Sequence, residues 1–582
     1  MIIKRIICFL VLSISISSAV MSQKQFNTAD FGLSPGGQDC TAALINVLNN
    51  CKKYKNAELV FPKGEYHFYP DFGIDKYCFI SNNSEGLKRI VFLLDGFNNL
   101  TIDGKGSSFI FHGFVNPFIV ENSSNVTFKN FSIDYSRTFH SEAILLANNS
   151  DGIDVDIPEN FPFKIVNGIL QFTDGKDKER NRPQLYYPYG SLLEFDSKKR
   201  EPGYLAKDRY LGGTSLAAQS LGGNKVRVFI DKFNGTPGNI ITFGPSHRQC
   251  PGFVINDSRD ITFNDVVIFH AGGMGFIGQR TKNILIDNCK VTPSEGRIIS
   301  CTADPTHFVN CTGRIEIRNC LFENQKDDAN NTHGNYVQIS QMVAPNEVIV
   351  QLKHQEQLGF DFLKKGVKVE FVTGSSMIQK GEATVARAVR INKEYTRVIF
   401  DKNLPTNIIV GDACCEINID TEFYFTGNTV RNNRAGGVIL NNRGKTVIEN
   451  NYFHTSGPPL QFGGDASYWF EQGGVNDCTI RNNVFDNCIF GPGGSGIIQV
   501  SSGIRDNKES SRYNKNIKVQ GNTFKIFDDV LLLSIYGVDS LEWKSNKVER
   551  TTNYPATRTN ESLFKVEYSD HIHIEPHDDN NK

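Results

Sequence analysis

Three absences narrow the reading of this 582-residue sequence. There is no basic excess: 62 Lys and Arg stand against 63 Asp and Glu, a formal charge of −1. Phosphate neutralisation needs such an excess or a strongly basic face, so nucleic acid is not an expected partner. No segment after residue 22 approaches the ~18 consecutive apolar residues of a membrane span. No C-x-x-C pair suggests zinc and no EF-hand-like ligand series suggests calcium, so no metal or other cofactor is expected. Tryptophan is nearly missing as well, with Trp469 and Trp543 the two copies.

What is present begins with an export signal. "MIIKRIICFLVLSISISSAVMSQ" carries Lys4 and Arg5, an apolar stretch from Ile6, and small residues around Val20 and Ser22. This is a secretory signal peptide over residues 1–22, and the mature chain is expected to be periplasmic or secreted. Cys8 lies inside the apolar stretch rather than after a small-residue cleavage box, which argues against a lipid anchor. Export permits disulfides, yet the spacing of the other twelve cysteines does not read as a disulfide framework. Units such as "DNCKV" and "RNCLF" use Cys as a small buried residue.

The sequence repeats itself. A short alternating strand, an Asn and an apolar residue recur in "VTFKNFSI", "ITFNDVVI", "ILIDNCKV", "IEIRNCLF", "FYFTGNTV", "VIENNYF", "TIRNNVF", "IKVQGNTF" and "LEWKSNKV". The markers are Asn130, Asn264, Asn288, Asn319, Asn428, Asn451, Asn483, Asn522 and Asn546. Coils of roughly 22–25 residues repeating at the ~4.8 Å strand spacing make a parallel β-helix, in which each coil buries its apolar face only against its neighbours. The asparagines are expected at a turn, as stacked amides that tolerate left-handed backbone. Trp543 belongs to a repeat unit and is expected to be structural.

Near the start, "DFGLSPGGQDCTAALINVLNNC" puts Cys40, Ala43, Leu44, Val47, Leu48 and Cys51 on one helical face, followed by strand signals in "ELVFPKGEYHF". Such a helix would cover the open edge of the first coil. This opening resembles the pectin-lyase-like superfamily of carbohydrate enzymes. The marker series breaks twice, from Asn130 to Asn264 and from Asn319 to Asn428, leaving insertions of roughly 110 and 85 residues. Both contain β-like alternation, as in "GNKVRVFIDKF" and "GVKVEFVTGSSM". The expected class is all-β: a right-handed parallel β-helix with two inserted small β-barrel domains. The helix cap and first coils occupy 23–139, the first insertion 140–250, the next coils 251–334, the second insertion 335–418 and the last coils 419–582.

The chemistry concentrates in "SCTADPTHF" and "NQKDDANNTHG". Asp304 and Asp328 lie 24 residues apart, one coil, so Asp304, Asp327 and Asp328 can converge on one face. Glycoside hydrolysis needs such a set: one protonated carboxyl for the leaving oxygen and another to activate water or attack the sugar. Crowded like charges keep one of them protonated near neutral pH. An Asp pair in an extended strand would point in opposite directions, so either a turn brings both inward or one of them is only supportive.

With "TADPTH" followed by "QKDDANNTHG" on a doubly interrupted β-helix, the chain resembles glycoside hydrolase family 110, the exo-acting α-1,3-galactosidases. The resemblance implies an inverting, metal-independent enzyme that removes terminal α-1,3-galactose from blood-group-B or linear ends. It puts the catalytic carboxylates on Asp304, Asp327 and Asp328, one of the adjacent pair as acid and Asp304 with the other on the water side. Candidates for the sugar are Trp469, whose ring would stack on galactose, Glu471 for hydroxyls, Arg297 for hydroxyls or for balancing the acids, and His307 and His333 as hydrogen-bonding partners. The partner is thus a galactose-terminated glycan. A homo-oligomer stays open, since the insertions would either pair subunits or wall the site.

Two rivals remain. A polygalacturonase-like hydrolase should carry an R-I-K triplet and a G-H-G segment after the Asp pair, and neither occurs. A non-catalytic glycan-binding solenoid would spread aromatics over many coils, whereas here acids gather at one place.

Overall fold

A computed structural model describes residues 23–83, 86–175, 183–245, 247–417, 419, 421–558, 562–575 and 578–579. The signal-peptide assignment to residues 1–22 lies outside them. Strands dominate and pair in parallel from coil to coil. Arg259–Ile268 lies between Ser124–Tyr135 and Lys282–Asp287, and the series continues through Thr312–Arg318, Thr421–Thr426, Lys445–Glu449, Asp477–Arg481, Asn514–Gln520 and Val538–Lys544. A second parallel stack runs through Asn116–Glu121, Phe253–Asn256, Phe276–Gln279, Thr306–Val309, Asn330–Ala344, Val438–Leu440 and Leu460–Phe462. This is the parallel β-helix, with the right-handed sense that parallel crossovers take. Alternating inward residues such as Phe118, Phe253, Phe276 and Phe308 form its core. The helix Thr41–Cys51 buries Leu44, Val47, Leu48 and Cys51 against the first coils, as its periodicity predicts.

The asparagine series resolves into two kinds. Strand register makes Asn130, Asp265, Asn288, Asn319, Gly427, Asn450, Asn482, Gly521 and Ser545 equivalent, all with φ between 52° and 66°. The next residue points inward: Phe131, Val266, Cys289 and Cys320 in the early coils, then Asn428, Asn451, Asn483, Asn522 and Asn546. So the left-handed residue and the stacked amide are the same Asn in none of the last five coils, a correction to the expectation of one residue doing both. Asn264 precedes the left-handed Asp265 and is neither.

Both insertions are antiparallel. The first is an eight-stranded sheet from Ser141–Asn148 to Ile240–Gly244, with a three-stranded sheet beside it and its own apolar core. The second closes completely: the pairings of Asn330–Ala344, Glu347–Gln351, Tyr395–Phe400, Gln379–Arg390, Lys368–Val372 and Ala413–Glu416 return to the first strand, a six-stranded barrel. Its entrance lies within one strand, since Asn330–His333 pairs in the helix and Tyr336–Gln338 in the barrel. The twelve described cysteines are buried and none is bonded to another.

Candidate active site

The strand Thr306–Val309 pairs with Asn330–His333 in register, Thr306 opposite Asn330, which makes Asp304 and Asp328 equivalent residues of successive coils. The next coil continues with Val438 opposite Asn330, so Gly436 stacks on Asp328. Its amide donates to Asp328 Oδ1 at 2.6 Å, and a Cβ there would stand 2.2 Å from Pro458 O and 2.8 Å from that oxygen. Only glycine allows the approach. Asp327 and Asp328 precede the strand in a bend, so the two-faced alternation of an extended chain does not separate them. One oxygen each of Asp304, Asp327 and Asp328 lies within 4.8 Å of the others.

The three aspartates face a cavity of about 420 Å³. Around it stand Asn331, Asn441, Gln461, Trp469 and Glu471. Trp469 is on a loop whose carboxylate Asp465 accepts from the amides of Ser467 and Trp469 at 2.8 and 3.1 Å. The second barrel's connecting segment braces it: Gln357 donates to Trp469 O at 2.8 Å, and the His354 ring lies 4.4 Å from the indole. Glu471 accepts from Asn331 and Asn441 at 3.2 and 3.3 Å. A large apolar face flanked by fixed polar groups is what a sugar ring requires.

The comparisons with known proteins decide the family. Models of the GLAA-B beta-barrel domains I and II match residues 141–241 and 347–414. Alpha-1,3-galactosidase A of Shewanella woodyi is 34% identical over 562 residues, covering 95% of this chain and 90% of that one. The chain belongs to the alpha-1,3-galactosidase A/B family. Alpha-1,3-galactosidase B of Phocaeicola vulgatus is 29% identical over 603 residues, 98% of each chain. Among solved structures, an exopolygalacturonase from Thermotoga maritima superposes with a TM-score of 0.40 at 11% identity, over 91% of this chain and 88% of that one.

In this family member the carboxylates differ in their surroundings. Burial, reinforced by the charge of Asp327, holds Asp304 well above the usual carboxylate range. The same two causes push Asp328 up to about 7, against the opposing Gly436 amide. Asp327 is ion-paired with Arg248 at 2.6 Å and has Arg434 at 3.8 Å. His307 Nδ1 bonds Asp304 Oδ2 at 2.7 Å. Its Nε2 meets Asn82 at 2.9 Å and His333 Nε2 at 3.2 Å. Burial, with His333 and Arg248 added, keeps His307 far below its ordinary value, hence neutral. Three oxygens this close could hold a cation, but His307, Arg248 and the Gly436 amide already engage one oxygen of each aspartate.

The structure therefore gathers Asp304, Asp327, Asp328, His307, His333, Trp469 and Glu471, with His333 contacting His307 and standing 3.7 Å from Glu471. Arg297 is placed elsewhere: it pairs with Asp134 at 2.7 Å and donates to Tyr135 O at 3.1 Å. The cations beside the acids are Arg248 and Arg434, which the sequence reading missed. Arg434 is one coil beyond Lys326, a relation hidden by the insertion, while Arg248 in "SHRQC" marks the return from the first insertion to the helix.

Proposed function

We propose that the chain is an exo-acting hydrolase that removes terminal α-1,3-linked galactose from glycans, with inversion and without a metal. The observation that carries this reading is the convergence of Asp304, Asp327 and Asp328 at one cavity, on a chain of this family. Asp327 is the acid in this account. Alone among the three it lines both the 420 Å³ cavity and the neighbouring one, where a bond joining two sugars would pass. Geometry comes first in choosing an acid. The protonated form of Asp327 is the one that reacts; once its proton has gone to the departing oxygen, the ion pair with Arg248 at 2.6 Å holds the carboxylate left behind.

Asp304 and Asp328 then form the water side. One water bonded to both at ~2.8 Å spans oxygens up to 4.8 Å apart. Burial and the charge of Asp327 raise both, and Asp328, pushed up to about 7, can accept a proton near neutral pH, the match a general base needs. His307, neutral and held by Asn82, fixes the Asp304 carboxyl. Asn331 Oδ1, buried and without a partner among the described residues, is available to a galactose hydroxyl.

A second reading, retention, draws on the same spacing: inverting pairs usually stand ~6.5–9.5 Å apart and retaining pairs ~5–5.5 Å. The three-carboxylate set favours inversion, because the second water-side acid has no task in a double displacement.

The test is release of galactose from a linear α-1,3-digalactoside and from the branched blood-group-B trisaccharide, with EDTA present. Release from either supports the reading; release from neither, or only without EDTA, contradicts it. We also infer export to the periplasm or medium from the leading segment, which fractionation of the native host checks.

A further inference from the structure

An acid must keep its proton until the bond it serves breaks, and cations crowd this one. Arg248 stands 2.6 Å from Asp327, Arg434 stands 3.8 Å away, and Lys326 precedes it in the chain. A guanidinium cannot shed its own proton in a protein, so the partners of Arg434 decide how hard it pulls on Asp327. We propose that Asp208, on the first insertion, is a positioning residue for the proton donor: it grips Arg434 and Lys326 and so withholds both from Asp327. The inference rests on the galactosidase reading above, with Asp327 as the acid, and extends it to a residue of the insertion.

Asp208 gives one oxygen to each cation: Oδ1 accepts from Lys326 Nζ at 2.6 Å and Oδ2 from Arg434 Nε. The Asp208 and Lys326 side chains are 7% and 9% exposed, so salt screens the pair little. Burial opposes a charge on Asp208, but Lys326 and Arg434 outweigh it and hold the carboxyl below its ordinary value. It is therefore an anion at neutral pH. The short strand Arg209–Tyr210 pairs with Ser191 and Leu192 and fixes the Asp208 backbone beside the sheet of the insertion.

Arg434 is divided among three partners. Its Nε donates to Asp208 and its Nη2 to the Tyr210 hydroxyl at 3.0 Å, while Nη1 stops 3.8 Å from Asp327 Oδ1, an ion pair without a hydrogen bond. Among the described residues its side chain donates to no other. Arg248 differs, because its Nη2 does hydrogen-bond Asp327 Oδ2, at 2.6 Å. The insertion thus holds one guanidinium a step short of the acid and leaves contact to the other.

The other groups around Asp327 do not take over this task. Asp304 from the coil before and Asp328 beside it contribute like charge directly. Glu356, on the connecting segment of the second barrel, faces Arg248. Tyr210, its phenol raised by burial, offers Arg434 a neutral oxygen only. With Asp208 neutralised, Arg434 keeps that hydroxyl alone and is free to close the 3.8 Å gap.

The experiment is the pH dependence of kcat/KM on the linear α-1,3-digalactoside, whose alkaline limb follows loss of the essential acid's proton from the free enzyme. In Asp208→Asn the limb is expected to move down by about one pH unit or more, the effect of bringing a cation onto a carboxyl. Arg434→Gln should move it up. The variant carrying both changes should place it at or above the wild-type position, because the downward shift needs Arg434. On α-galactosyl fluoride, whose fluoride departs as an anion without an acid's proton, Asp208→Asn should lose less than about two-fold at a pH where it has lost about ten-fold on the digalactoside. An unmoved limb in Asp208→Asn, a downward shift that survives in the double variant, or equal losses on both substrates overturns the inference and leaves the hydrolase reading standing. If Asp208→Asn does not fold, Arg434→Gln decides: an unmoved or lowered limb overturns it. A wild-type enzyme that releases galactose from neither substrate overturns both.

Discussion

Two columns of like side chains run along this solenoid. At one turn Asn428, Asn451, Asn483, Asn522 and Asn546 stack from coil to coil; at another, Asp304 stacks on Asp328. Within the first, each Oδ1 accepts from the residue one coil before, as Asn483 does from the amide and Nδ2 of Asn451 at 3.0 and 2.9 Å. Each Nδ2 also reaches a strand carbonyl, such as Ile448 O from Asn483 at 3.0 Å. An amide complements its own kind. A carboxylate does not, and in the aspartate column burial together with the charge of the adjacent Asp327 raises the proton affinity of both members. The coil repeat brings identical groups together in both places, so the difference lies in the chemistry of the group. One column stabilises; the other carries raised proton affinities beside the cavity.

The largest effect should come from neutralising the aspartate column or Asp327 beside it. Asp327→Asn, Asp304→Asn and Asp328→Asn are each expected to fold and to lose at least ~10³-fold in kcat on the digalactoside, within the range for removed acid–base groups. A variant retaining a tenth of the activity would remove that residue from the chemistry.

Next comes an exchange of chemistries. Asn483→Asp puts a carboxylate into the amide ladder, where former donors face oxygens. It should destabilise by about 3–5 kcal/mol at pH 7 and less at pH 4, once the group is protonated, as read by denaturant unfolding.

The reverse exchange has the opposite sign. Asp328 has its proton affinity raised in the folded state, to about 7 against ~3.9 unfolded. The folded form therefore binds more protons between those values, and wild-type stability falls as pH rises through that window and levels above it. Asp328→Asn removes the penalty, so its stability relative to wild type should grow between pH 4 and pH 8 by a few kcal/mol, on the order of 4 at most. A constant difference would show that Asp328 is ionised at ordinary pH.

The smallest effect sharpens the ladder itself. Asn546, the last rung, serves one neighbour, so Asn546→Ala should cost about 1–2 kcal/mol, less than Asn483→Ala at about 2–4. Equal costs would mean the rungs act independently.

Much of this was legible in the sequence for a physical reason. Asp304 and Asp328 are separated by a single uninterrupted coil, so their spacing in the chain is their spacing in space. Gly436 and Arg434 follow Asp328 and Lys326 by the same coil step, but a barrel intervenes, and chain distance no longer reports stacking. The asparagine markers misled by one residue, because Asn suits both the left-handed position, as at Asn288, and the inward ladder position, as at Asn451. Arg297 looked suited to balance the acids, yet it meets Asp134, a residue of an earlier coil whose approach no local pattern announces.

The most direct test of the account follows the anomer of the first galactose released from the linear α-1,3-digalactoside by proton NMR, at enzyme concentrations that outrun mutarotation. The account predicts β-galactose first, with α-galactose growing in only at the mutarotation rate. α-Galactose first would contradict it, turning one of the stacked aspartates into a nucleophile.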